Sequence, residues 1–383
     1  ARAVQGMGAA VAAPTGLALI ATTYAAGPAR NRAMAVSASM QGIGSVLGLV
    51  LGGAVTVVSW RLAFLINIPI GIVIIAIAVA RLTETYHERL TLDLPGALLA
   101  TSGCTAAVLV FTQGPPQGWV GPWVIGPGVA AAVFFIAFLV VERRAQNPLV
   151  PFAVFGDRNR VMTFVSLFLA GGVMLTLTVM IGLLVQDVLG YSALRAGICF
   201  IPFAVAFGLG SALAARLALR IAPRWLIMGG GALVLGAMLY GSTLTRSIPY
   251  YPDLFWPIVV GGFGIGEIAV ILPLCALAGV GPREIGPVSA ITLMVYNLGG
   301  PVVLVVIQAV QTSRTLYLGG TTGPVKDMTP SQLDALGYGY TYSLLWVAAI
   351  AVLVGVAALF IGFSADQIAR AQHTREAVES GKL

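Results

Sequence analysis

Apolar runs of helix-spanning length, separated by short polar breaks, recur from one end of the chain to the other. A helix rises about 1.5 Å per residue and needs about 20 apolar residues to cross hydrocarbon. Cutting the sequence at charged residues and at Pro/Gly-rich joints predicts eleven such helices, over 1–23, 33–57, 62–80, 94–112, 120–141, 161–186, 193–219, 226–244, 254–278, 287–311 and 340–363. No polar segment between them is long enough to hold a separate soluble domain. Beyond the last run, Ser364 stands at N-cap spacing from Gln367, with Gly381 near the end, which predicts a short polar helix over the tail.

Composition carries the same message. Of 383 residues, 58% are hydrophobic and 9% are charged, where a soluble domain carries about 25% charge. The expected class is all-α integral membrane protein. Because the apolar runs span the whole chain, neither a single anchor nor a cleaved leader accounts for them.

Arginine and lysine orient the helices, since basic loops stay on the cytoplasmic side. One alternating set of loops holds Arg30, Arg32, Arg81, Arg89, Arg143, Arg144, Arg158, Arg160, Arg216, Arg220, Arg224 and Arg283, and the tail adds Arg370, Arg375 and Lys382. The opposite set holds Arg61, Arg195, Arg246, Arg314 and Lys326. The formal net charge of +7 is therefore a topology signal rather than a nucleic-acid surface, and the C-terminus is expected in the cytoplasm. Eleven crossings that end inside must begin outside. With no initiating methionine and with Arg2 inside the first run, further helices are expected before residue 1.

The reactive side chains exclude several classes of function. Cys104, Cys199 and Cys275 stand alone in separate apolar runs, and His87 and His373 fall in polar segments, so no metal or histidine-based catalytic cluster is expected. No phosphate-binding loop ending in GK[ST] is present, and no nucleophile is paired with a base, which argues against ATP coupling, a cofactor or a lipid-modifying enzyme.

The stretch QGIGSVLGLVLGG (residues 41–53) is unusual because interior glycines weaken a helix in water by about 1 kcal/mol each. Gly44, Gly48 and Gly52 are spaced by four and line one helix face, with Gln41 on the same side. In lipid, small residues let helix backbones approach closely, so one reading is a static packing seam.

A second reading comes from resemblance. ARAVQGMGAAVAAPTG, with Arg2, Gln5, Gly6 and Gly8, resembles the fourth-helix motif of the drug:proton antiporters of the major facilitator superfamily. The glycine stretch resembles their fifth-helix antiporter motif, matched by Gly44, Gly48, Gly52 and Gly53, with Leu49 where the family pattern has proline. SWRLAFLINIPIG and QDVLGYSALRAG are similar to the fourteen-helix branch, and PTGLALIATTYAAGPARN and SRTLYLGGTTGPVK to an actinobacterial type of exporter within it. The resemblance implies a major facilitator fold with eleven of fourteen helices present. Residues 1–80 would complete an N-terminal six-helix half (helices four to six), 81–160 would hold two extra helices and a cytoplasmic connection, 161–363 would form the C-terminal half, and 364–383 a cytoplasmic tail. Two halves that rock about a central site would use the glycine face as a sliding and sealing surface.

Two charges lie well inside predicted spans, Arg2 and Glu267, and charges at such depth are expensive enough to be functional by default. The resemblance implies a role for Arg2 in proton coupling or in joining helices. Glu267, in GGFGIGEIAVILP, is a candidate for binding and releasing a proton or attracting cations, and equally for a structural hydrogen bond; the family pattern does not place an acid there. Asp93 and Asp187 are expected as loop or cap residues. Asn297 and Gln308 share a face with Pro301, and Phe168, Val173, Met174 and Thr176 offer aromatic, sulfur and hydroxyl contacts, so these six side chains, with Gln41, are the candidate cavity residues. The resulting expectation is a proton-coupled plasma-membrane exporter of amphipathic compounds, with protons and membrane lipid as its other partners. A lipid-handling transporter of the same fold is the alternative.

Overall fold

The computed structural model describes residues 59–81, 93–144, 156–218, 220–244, 250–279 and 285–364, together with Gln5, Gly8, Gly48, Leu51, Gly52, Ala54 and Val55. Most of the predicted spans 1–23 and 33–57 lies outside these residues, as does the predicted tail helix. The described elements are helices throughout: α1 (Trp60–Leu65), α2 (Asn67–Arg81), α3 (Leu94–Gln117), α4 (Pro122–Glu142), α5 (Arg158–Leu183), α6 (Ala193–Cys199), α7 (Ile201–Leu217), α8 (Pro223–Gly241), α9 (Phe255–Leu277), α10 (Ile285–Tyr317) and α11 (Pro330–Leu359). Among them are eight helical stretches long and apolar enough to cross a membrane, plus a shorter apolar helix over Asn67–Ala80.

Each predicted span from residue 94 onward coincides with one of those eight stretches. The last two boundaries differ from expectation for local reasons. The helix expected to stop near 311 continues to Tyr317, because its Gln and Thr side chains bond along the helix: Gln311 Nε2 donates to Thr315 Oγ1 at 3.1 Å, and that hydroxyl donates to the Gln311 carbonyl at 3.0 Å. It ends where Gly319 takes φ 81°, with Gly320 N–H donating to Thr315 O and Gly319 N–H to Leu316 O, a Schellman closure that needs the left-handed conformation. The following helix starts at Pro330 rather than 340. Thr329 caps it, and Thr329 N–H and the Gln332 side chain complete a capping box at 2.9 Å.

Two breaks subdivide other spans. Ile66 is a turn between α1 and α2, and Phe200 lies between α6 and α7, where Pro202 near the start of α7 has no N–H to give to the preceding turn.

Packing follows an exchange between two triplets. In the first, α5, α6/α7 and α8 follow one another; in the second, α9, α10 and α11 do so. The first helix of each packs on the middle helix of the other, α5 on α10 and α9 on α7, while α8 packs on α9 and α11, and α11 on α5. Glycine makes the two reciprocal crossings possible. A Cβ on Gly171 or Gly299 would strike the backbone of Tyr296 or Phe168, and one on Gly210 or Gly266 would strike Phe263 or Phe207. Ser211 Oγ bonds the Gly266 carbonyl across the second crossing at 3.0 Å. Outside the bundle α3 and α4 form a hairpin, and α3 leans on α10.

Candidate functional site

The segments 118–121, 184–192, 242–244, 250–254 and 318–329 lie at one end of the described bundle, because successive helices alternate in direction. Three cavities open at this end. Gly48 and Gly52 face the last turns of α5 (Thr178, Gly182), Gln186 in the π-helical turn that follows it, and the α6 segment (Ala193, Gly197, Phe200) across about 410 Å³. A Cβ added at Gly48 or Gly52 would meet nothing within 4 Å, so here the glycine face borders a gap rather than a tight crossing.

The second cavity, about 200 Å³, lies between α3 (Phe111, Thr112, Pro115), α5 (Met180, Leu183) and α10 (Gln308, Gln311, Thr312). The third, about 430 Å³, lies between α3, α10 and α11 and is walled by Phe111, Trp119, Tyr317, Tyr342 and Trp346 with Arg314 among them. Leu183 is common to the first two cavities, and Phe111 and Ala309 to the second and third.

The chain holds this end with side-chain bonds that the sequence did not announce. Asp187, in the π-helical turn Leu184–Val188 that closes α5, accepts from Tyr340 OH of α11 at 3.0 Å. Arg195 stacks on Tyr191 with its guanidinium 3.8 Å from the ring centroid. Tyr250 OH donates to the Cys199 carbonyl at 2.8 Å, tying the start of the α9 segment to α6. Asp187 is thus a tie between helices rather than the loop residue it was expected to be, whereas Asp93 does cap α3, accepting from Gly96 N–H at 2.9 Å.

The other sequence candidates separate. Gly48, Gly52 and Gln308 line cavities. Val173 and Thr176 are buried in the core of the bundle, Thr176 with an unpartnered hydroxyl, and the gap beside Val173 is only about 10 Å³, too small for more than a water. Phe168 and Met174 pack partly against that core, and Asn297 is exposed. Glu267 is 8% exposed and lies at the α8–α9 crossing, where a Cβ on Gly230 would sit 3.3 Å from its own. It lines none of the three cavities above. Gln5 and Gly8 are helical and exposed; Arg2, Gly6, Gln41, Gly44 and Gly53 lie outside the described residues. The aromatic and arginine residues of the third cavity escaped the sequence reading, which assigned Arg314 to a loop. The spacing of Ser313, Arg314 and Tyr317 along a continued helix was the signal.

A sequence model of the Major Facilitator Superfamily matches residues 1–304. The chain belongs to that superfamily. It is a multi-pass integral membrane transporter, not an enzyme. It is 59% identical over 384 residues to the uncharacterized MFS-type transporter EfpA of Mycobacterium tuberculosis (strain ATCC 25618 / H37Rv), an alignment covering 100% of this chain and 72% of that one. It is 34% identical over 362 residues to the cephamycin export protein CmcT of Amycolatopsis lactamdurans, covering 93% and 72%. It is 32% identical over 370 residues to the puromycin resistance protein pur8 of Streptomyces alboniger, covering 94% and 71%. In fold it is similar to a bacterial homolog of the human lysosomal transporter Spinster in an inward-facing, unoccupied conformation, with a TM-score of 0.52 at 15% identity over 94% of this chain and 75% of that one.

Proposed function

We propose that this transporter is a proton-driven exporter of amphipathic compounds, seated in the plasma membrane with its C-terminal tail in the cytoplasm. The observation that carries the proposal is the gap of about 410 Å³ between the Gly48/Gly52 face and the ends of α5 and α6. A surface without side chains can close backbone against backbone and reopen without unlocking interdigitated residues, which is what alternating access requires of a gate. The outward direction is drawn from relatives named for cephamycin export and puromycin resistance. The C-terminal orientation rests on the distribution of Arg and Lys among the loops.

Glu267 and Arg2 are the residues we assign to proton coupling. Glu267 is buried where α8 and α9 cross over glycine, so a change in its charge would bear directly on that crossing. The test is transport of a neutral and a cationic amphipathic dye by the full chain in proteoliposomes under an imposed pH gradient. Pumping should collapse with the gradient, and Glu267→Gln should abolish pH-driven transport while dye binding is kept. Wild-type rates and pH dependence in Glu267→Gln for both dyes would remove Glu267 from the mechanism. A second reading, a lipid-handling transporter, is favoured by one observation, the aromatic and arginine lining of the third cavity.

A further inference from the structure

The cavity between α3, α10 and α11 combines features that point to one ligand chemistry. On α10, Val306, Ala309, Val310, Ser313, Arg314 and Tyr317 recur at helical spacing, so that one face lines the cavity from deep apolar residues to a cationic rim. The step from Val306 to Arg314 is about 12 Å along the helix axis. Trp119, Trp346 and Tyr317 are all exposed at the perimeter, the position in which aromatic rings mark the interface between acyl chains and headgroups.

Arg314 is the decisive residue. Its guanidinium carbon lies 5.4 Å from the Tyr317 ring centroid and 5.0 Å from that of Tyr342, so aromatic faces hold it at the cavity wall. Among the described residues no carboxylate forms an ion pair with it, and Ser313 beside it has a buried hydroxyl without a hydrogen-bond partner. A cation held at the lipid perimeter with its donors unspent is matched by a phosphate, which guanidinium can grip with two parallel bonds.

We propose that this cavity binds an anionic phospholipid from the bilayer, with the phosphate on Arg314 and Ser313 and an acyl chain along Val306, Ala309 and Phe111. The volume of about 430 Å³ suits a headgroup and the first part of a chain, not a whole lipid. Because Phe111 and Ala309 also wall the second cavity, whose polar side carries Gln308 and Gln311, and Leu183 joins that cavity to the Gly48/Gly52 gap, the site is the lateral mouth of a path towards the gate. This extension, though not the binding site itself, rests on the exporter reading.

The experiment is tryptophan quenching in vesicles containing brominated phosphatidylglycerol or brominated phosphatidylcholine at equal mole fraction. Subtracting the signal of Trp119→Phe/Trp346→Phe isolates the two reporters at the rim. The wild type should favour phosphatidylglycerol about five-fold, Arg314→Lys should keep part of that preference, and Arg314→Gln should lose it. Equal quenching by the two lipids in the wild type, or an undiminished preference in Arg314→Gln, overturns the proposal. Dye transport under a pH gradient in the same vesicles reads the exporter proposal separately. Lost preference with transport intact sinks the lipid site alone, and absent transport with the preference intact sinks export alone.

Discussion

At Gly299 a single added methyl group would run into the backbone of Phe168, whereas at Gly48 it would meet open space. The two glycines look alike in the sequence and do different work. The first lets α5 and α10 cross in contact, and its neighbour must be moved bodily because the obstacle is main chain rather than a flexible side chain. Gly299→Ala is therefore expected to destabilise the bundle by about 1–3 kcal/mol, visible as a lower thermal midpoint in detergent, while Gly48→Ala leaves it unchanged. Equal midpoints for the two variants would mean that α5 and α10 do not cross as closely as described.

Helix ends are set by specific chemistry even where the apolar pattern blurs. Thr329 and Gln332 cap α11, and Gly319 closes α10, so the loop between these helices is 318–329 and both helices reach beyond their apolar stretches. Those extra turns carry Arg314 and Gly339, and a Cβ on Gly339 would strike the Thr315 hydroxyl of α10. Thr329→Ala removes the cap and should cost about 1 kcal/mol, read as faster hydrogen exchange at the first amides of α11 with the rest of the helix unaffected. No change in exchange there would show that tertiary contacts alone hold the first turn.

For the molecule as a whole, the exporter reading requires the gap beside Gly48 and Gly52 to close. Gly48→Leu has room in the present arrangement, so the protein should fold and reach the membrane at normal level. A side chain that opposes closure by about 1.4 kcal/mol lowers the closed population about tenfold, and pH-driven export should fall by at least that factor. Full transport by Gly48→Leu at normal expression would refute the sealing role of this face.

Helix positions were legible in the sequence because the requirement that writes them is local. In hydrocarbon every backbone N–H and C=O must be bonded within its own segment, which demands long uninterrupted apolar runs, and all eight runs from residue 94 onward became helices. The glycine spacing also carried the resemblance to the superfamily that the chain belongs to. What the runs do not encode is which face turns inward, since lipid and protein interior are equally apolar. Leu344 is 4% exposed and its neighbour Leu345 is 40% exposed, yet no rule of composition separates them. The surroundings of Arg314, the Asp187–Tyr340 tie and the placement of Glu267 at a helix crossing rather than a cavity all depend on helices far apart in the chain. Only tertiary packing brings them together, because van der Waals fit between particular surfaces, not hydrophobicity, selects the neighbours of a helix in a membrane.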